Sequence, residues 1–189
     1  MKRIEQIYRE MLYQRMEKNN AVLTQKGLSM KLGVSLSTVN YALKNLKKMG
    51  AIEIRKMNFA IVNPKKILYY WASLRNVERD VIYSTRVNMN VSEIEKTMPQ
   101  NTIFTAYSGF KFMFNEMPSD YASVCVYAKD TAEIKNRFPE NKNPSNVFIL
   151  KQDENLKQLT LAQLFVDLWN LKEWYAKEFL DALEKKMVL

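Results

Sequence analysis

Between Ser35 and Lys48 the chain sets out side chains that hydrogen-bond or carry positive charge: Ser35, Ser37, Thr38, Asn40, Tyr41, Lys44, Lys47 and Lys48. Their chemistry is recognition. An Asn amide pairs bidentately with an adenine edge, and Ser or Thr hydroxyls serve several bases. Lysines a turn or more later suit phosphate oxygens. Lys26 stands before this run, and Arg55 and Lys56 stand after it. Groups suited to catalysis are scarce. The chain has no histidine, which removes His-based acid–base chemistry, Ser-His and Cys-His nucleophile pairs, and zinc sites built on His. Its single cysteine, Cys125, lies between two valines and reads as a small buried hydrophobe. It cannot form an internal disulfide, which fits a reducing cytoplasm. Four glycines leave no room for a phosphate loop or a dinucleotide turn. Asp120 and Asp130 flank an apolar run at opposite ends and cannot form a metal-binding pair. No enzyme activity, cofactor or metal is expected.

Charge narrows the partner. The chain has 189 residues, 47% of them hydrophobic and 26% charged, ordinary proportions for a globular protein. Its net charge is +9, and the whole excess lies in residues 1–65, where 13 Lys and Arg face 4 Glu. Residues 66–189 carry 16 basic and 16 acidic side chains. A concentrated positive field attracts a polyanion, of which nucleic acid is the commonest, or else remains a solvated face that keeps the protein soluble. No apolar run reaches the length of about 18 residues that a membrane span requires. The N-terminus begins directly in an amphipathic pattern rather than a signal sequence, so a cytoplasmic location is expected.

The elements that must position these residues follow from periodicity. Ile4, Ile7, Tyr8, Met11 and Leu12 recur along one face of a helix, with Arg3, Arg9, Glu10 and Arg15 opposite. Lys18-Asn19-Asn20 breaks that pattern. Thr24 suits the N-cap of a short helix through Leu32, with Leu28 and Leu32 inward. Gly33 suits the left-handed residue after it. Val34 plugs the turn, and Ser35 caps the next helix, in which Val39, Ala42, Leu43 and Leu46 make the buried stripe. Gly50 ends that helix. Ile52 and Ile54 then alternate with Glu53 and Arg55, a strand pattern. Lys56-Met57-Asn58 reads as a turn with Asn58 in a left-handed conformation. Phe59 to Val62 returns as a second strand, which Pro64 stops.

The stretch Leu23-Thr24-Gln25-Lys26-Gly27-Leu28 through Gly33-Val34-Ser35, Thr38-Val39 and Leu43–Leu46, followed by Met49-Gly50-Ala51-Ile52, resembles the winged helix-turn-helix family of transcriptional regulators. It departs from that family at Gly27, where a better helix former is usual, and in a short wing without a turn glycine. The resemblance implies that residues 36–49 are a recognition helix for the major groove. Ser37, Thr38, Asn40 and Tyr41 then face bases, while Lys44, Lys47, Lys48, Arg55 and Lys56 meet phosphates or an adjacent groove, and Lys26 and Lys31 flank the positioning helix. Winged helices that serve protein contacts remain the alternative.

Residues 65–189 read as a second, mixed α/β domain with a small sheet and C-terminal helices, giving an α+β fold with a boundary after residue 64. Lys66–Ala72 is expected to be helical, Val81–Val87 a strand, and Ser92–Met98 a helix with Ser92 as its cap. Thr102–Phe114 is expected to be helical, Tyr121–Tyr127 a strand, Thr131–Phe138 a helix and Asn146–Lys151 a strand. Thr160 caps a helix carrying Leu161, Leu164, Phe165 and Leu168, and a last helix follows from Glu173. Trp169 and Trp174 fall off the apolar stripes and are expected either in the core or in a dimer contact. Thr105–Phe110 and Thr160–Asn170 resemble the second domain of abortive-infection (type IV) antitoxins, which is related to nucleotidyltransferases and often inactive. As the second domain of a regulator, this region is expected to homodimerise, bind a small-molecule effector or meet a partner protein. Double-stranded DNA is the expected partner of the first domain. An autoregulating antitoxin and a nucleotidyltransferase-like enzyme are the alternatives.

Overall fold

A computed structural model describes residues 1–187. The chain divides into two compact units. The first takes Met1–Arg75 with Thr160–Val166 and, at the end, Lys186 and Met187, and the second takes Asn76–Leu159 with Asp167–Lys185.

The first unit opens with helix α1 (Arg3–Met16), followed by strand β1 (Val22–Leu23), α2 (Gln25–Leu32), α3 (Leu36–Lys48), β2 (Ile52–Ile54), β3 (Phe59–Ile61) and α4 (Pro64–Leu74). The local reasons are those of the sequence. Thr24 Oγ1 accepts the Gly27 N–H at 3.0 Å and starts α2. A Cβ on residue 27 would stand 2.8 Å from that same oxygen, which accounts for glycine where a helix former is usual. Gly33 and Gly50 close α2 and α3 at φ 63° and 66°. Pro64 stands in the first turn of α4, where its missing N–H leaves no bond unmade.

Three features differ from the sequence reading. The wing sheet has a third strand, since β1 pairs antiparallel with β3 (Val22 opposite Ala60, Leu23 opposite Phe59), in the order β1-β3-β2. Two residues are too few to show a period. Asn58 is not left-handed; the turn closes through Arg55 N–H to Asn58 O at 2.8 Å. Arg9, expected on the polar face of α1, is only 4% exposed and donates to Gln163 Oε1 at 3.4 Å, because the segment 160–166 covers it.

The core of this unit joins Ile7, Met11 and Leu12 of α1 to Leu28, Val39, Leu43, Leu46, Phe59 and Ile67. Trp71 on α4 is fully buried, and its indole N–H donates to Glu5 Oε2 at 3.2 Å. The same carboxylate faces the Arg75 guanidinium at 3.6 Å, both side chains almost wholly out of water. A charge taken from water requires such a partner.

The second unit carries β4 (Val81–Thr85), α5 (Val91–Thr97), β5 (Ile103–Thr105), α6 (Ala106–Phe114), β6 (Val124–Ala128), α7 (Ala132–Arg137) and β7 (Val147–Lys151). The end of α8 (Leu161–Trp169) and α9 (Ala176–Lys186) complete it. The sheet order is β4-β7-β6-β5. Strands β6 and β7 run parallel, with α7 in the crossover between them, and the two outer pairs are antiparallel. Val124, Val126, Val147 and Ile149 pack with Ile94, Ile134 and Phe138 in a closed core. The fold class is α+β.

Here too there are corrections. Thr102–Phe114 is a strand and then a helix, not one helix, and Thr105 ends β5. Asn90, not Ser92, caps α5: its Oδ1 accepts the Glu93 N–H at 2.9 Å, and Glu93 accepts the Asn90 N–H at 3.0 Å. Trp169 and Trp174 are not core residues; they are 45% and 76% exposed. Cys125 is buried in β6 and forms no disulfide among the described residues.

Candidate nucleic-acid interface

Helix α3 carries the polar run, and its two faces separate sharply. Val39, Ala42, Leu43 and Leu46 are buried, while Ser35, Ser37, Asn40, Tyr41, Lys44, Lys47 and Lys48 are exposed and Thr38 is half-buried. The 3.6-residue period places residues 37, 40, 41, 44 and 48 together, opposite the stripe. The helix is held from beneath by Tyr8, whose hydroxyl donates to Ala42 O at 3.2 Å. Burial, then the neighbouring Tyr70 and Tyr41, push the Tyr8 phenol well above its usual range and keep it a neutral donor.

At the N-terminus of α3 three hydroxyls form one group. Ser35 Oγ accepts the Thr38 N–H at 3.2 Å and lies 2.8 Å from both Ser37 Oγ and Thr38 Oγ1. Ser35 is therefore the cap of the helix as well as a surface hydroxyl. Asn40 and Tyr41 project beyond this group, Tyr41 with 65% of its surface free. Asn45, on the same helix, is already committed: its amide donates to Tyr70 Oη at 2.7 Å.

The cations divide into two sets. Among the described residues, Lys26, Lys44, Lys47, Lys48 and Lys56 pair with no carboxylate and are all exposed. Arg55 faces Glu53 at 3.1 Å across open solvent. Lys31 is tied to Glu10 at 2.6 Å and is not a free cation on the positioning helix. Lys66 Nζ, which the sequence did not single out, donates to Met49 O at 2.7 Å and satisfies a carbonyl at the end of α3.

The start of α2, the start of α3 and the wing tip meet around a shallow groove of about 330 Å³. Lys26, Arg55 and Lys56, far apart in sequence, line it together with Gln25, Leu36 and Met57. Sequence reasoning did not single out Gln25 and Met57. The signal was available, since Gln25 follows the Thr24 cap and Met57 is the tip of the turn. Lys26, Arg55 and Lys56 thus form one basic cluster beside the start of α3.

A family model for winged helix-turn-helix DNA-binding domains matches residues 12–53. Those residues carry a winged helix-turn-helix DNA-binding domain. The match runs from the end of α1 through α2 and α3 into β2, and it contains every α2 and α3 side chain described above. No curated protein and no solved structure matches the chain. The family match leaves residues 65–189 unassigned, so the resemblance of that region to antitoxins stands on its sequence motifs alone. Asp167, in the motif Thr160–Asn170, is buried and accepts from Thr105 Oγ1 at 2.7 Å and Tyr127 Oη at 2.6 Å. Among the described residues no helix is long and apolar enough to cross a membrane, and no cluster of three or more Cys, Asp and Glu could hold a metal ion.

Proposed function

We propose that the protein is a sequence-specific transcriptional regulator that lays α3 in the major groove of double-stranded DNA. The supporting observation is the exposed face of α3: Asn40 and Tyr41 stand clear of the core, beside three lysines without carboxylate partners. Base-reading groups and phosphate-binding cations lie on one rigid helix, the geometry that groove recognition requires. Ser37 and Thr38 read base edges beside Asn40, and Lys26, Arg55 and Lys56 anchor the flanking backbone. The protein acts as a homodimer in the cytoplasm, and residues 76–159 with 167–185 receive a small-molecule effector or a partner protein. It acts by binding rather than by catalysis.

The test is fluorescence anisotropy on random duplex and on the duplex upstream of the protein's own gene, titrated with salt. A preference of about a thousandfold for the latter supports a specific regulator. Asn40→Ala and Tyr41→Ala each cost about 1–3 kcal/mol on the preferred duplex and little on random DNA. Unchanged discrimination in both variants refutes the assignment of base reading to α3.

A further inference from the structure

The second unit contains a cavity of about 180 Å³ whose walls are Val77, Val81, Ala106, Cys125, Phe148 and Leu150. An apolar cavity of roughly 150 Å³ accommodates a benzene ring, so this one takes a single ring with a short arm. Its rim is charged. Lys172 and Glu78 form an exposed ion pair at 2.6 Å, and Glu173 lies beside them. Glu173 is held by one oxygen only: Tyr107 Oη donates to its Oε2 at 3.1 Å, and its Oε1 has no partner among the described residues. The rim therefore carries two carboxylates and one ammonium, and the ammonium is already bound.

The floor is built with strain. Ala106 has φ 53°, a left-handed conformation that costs an L-residue about 1–2 kcal/mol. It is fixed on both sides, by Thr105 donating to Asp167 at 2.7 Å and by Tyr107 donating to Glu173. Strained backbone of this kind persists where the surroundings over-determine it, and it clusters at ligand clamps. Tyr107 is the link: the residue next to the strained floor also orients the free carboxylate at the rim.

We infer that this cavity is a binding site for a small aromatic amine, its ring against Phe148 and its ammonium or N–H group on Glu173 Oε1. The inference rests on the reading that the second unit receives an effector, and it names the site and the chemistry. An anionic ligand is disfavoured because Lys172 and Glu78 cancel each other and the remaining rim charge, on Glu173, is negative.

The test uses the full-length protein, with phenethylamine as the probe and 3-phenylpropionate as its anionic counterpart. Cys125 is the only thiol in the chain and lines the cavity, so its rate of labelling by a thiol reagent reports occupancy directly. Phenethylamine is expected to bind with one-to-one stoichiometry by calorimetry and to slow Cys125 labelling at least fivefold at saturation. 3-Phenylpropionate should bind at least tenfold more weakly, and Glu173→Gln should remove most of that difference. Ser123→Phe, at a half-buried loop position on the lining, should abolish both binding and protection while leaving the circular dichroism spectrum unchanged. Absence of amine binding at millimolar concentration overturns the proposal. So do binding without protection of Cys125, equal or better binding of the carboxylate, and wild-type binding by Ser123→Phe. No DNA enters the assay. A protein that binds DNA but not the amine loses only this proposal, and one that binds the amine but not DNA loses only the regulator reading.

Discussion

The five lysines without carboxylate partners predict a specific salt response. Each cation that neutralises a DNA phosphate releases condensed counterions and adds about 0.9 to the slope of log K against log salt. Lys26, Lys44, Lys47, Lys48 and Lys56 are exposed and break no ion pair on binding, so all five are available. Arg55 is already engaged by Glu53, exchanges one ion pair for another and adds little, so five contacts give a slope of about −4.5 and an affinity loss of about 500-fold between roughly 50 and 200 mM salt. In the triple variant Lys44→Ala, Lys47→Ala, Lys48→Ala, two contacts remain, the slope falls to about −1.8, and the same interval costs only about 12-fold. These side chains are exposed and make no ion pair among the described residues, so stability should stay within about 0.5 kcal/mol of the parent. Lys31→Ala is the internal control. Its ammonium is engaged by Glu10 at 2.6 Å, so its loss should change the slope by much less than one phosphate equivalent. Anisotropy titrations on one duplex across the salt range decide the matter. If the triple variant keeps the parental slope, or if Lys31→Ala lowers it as much as Lys44→Ala does, then the division into free and engaged cations does not describe how this surface meets DNA.

Three further predictions concern what holds the DNA-binding unit in shape. Glu5→Ala removes the carboxylate that faces the buried Arg75 guanidinium and the acceptor of the Trp71 indole, and urea unfolding should show a loss of about 3 kcal/mol or more; a loss below about 1 kcal/mol would contradict a buried pair. Ser35→Ala removes the acceptor for the Thr38 N–H and should lower stability by about 1 kcal/mol in thermal melts, whereas Ser37→Ala, which removes no cap, should be nearly neutral. Burial raises the Glu17 carboxyl above its usual range, against the Leu161 N–H and Lys18, which lower it. A raised folded-state pKa means that the contribution of this group is fully present below the unfolded value and is lost as pH rises through the folded one. Glu17→Gln should therefore flatten the decline in stability as pH rises above the ordinary carboxylate range, and an unaltered pH profile would show that Glu17 is not desolvated.

The winged helix-turn-helix was legible because its signals are local. Thr24, Gly33, Ser35 and Gly50 act on backbone groups within a few residues, and the stripe Val39–Leu46 is one face of one helix. Such features need no knowledge of distant chain, and they fixed both the boundaries of α3 and which of its residues face outward. Where the sequence reading failed, the deciding partner was remote. Strand β1 exists because Phe59 and Ala60 supply its hydrogen bonds. Arg9 is buried because the segment around Gln163 returns to cover it. Thr105 ends a strand because Cys125 pairs with it and Asp167 accepts its hydroxyl hydrogen bond.

The sequence by itself determined the kind of chemistry: no histidine, one cysteine, and a positive excess confined to the first third. Those are sums over residue types, and folding does not alter them. Only the tertiary structure decided which charges are free. Lys31 and Lys44 are alike in sequence context, yet one has a carboxylate within hydrogen-bonding distance and the other has none. Only the tertiary structure joined Lys26 to Arg55 and Lys56, and gathered Ala106, Cys125, Phe148 and Glu173 around one cavity. Coulomb interactions and packing act over a few ångströms of space, and distance along the chain does not report that separation.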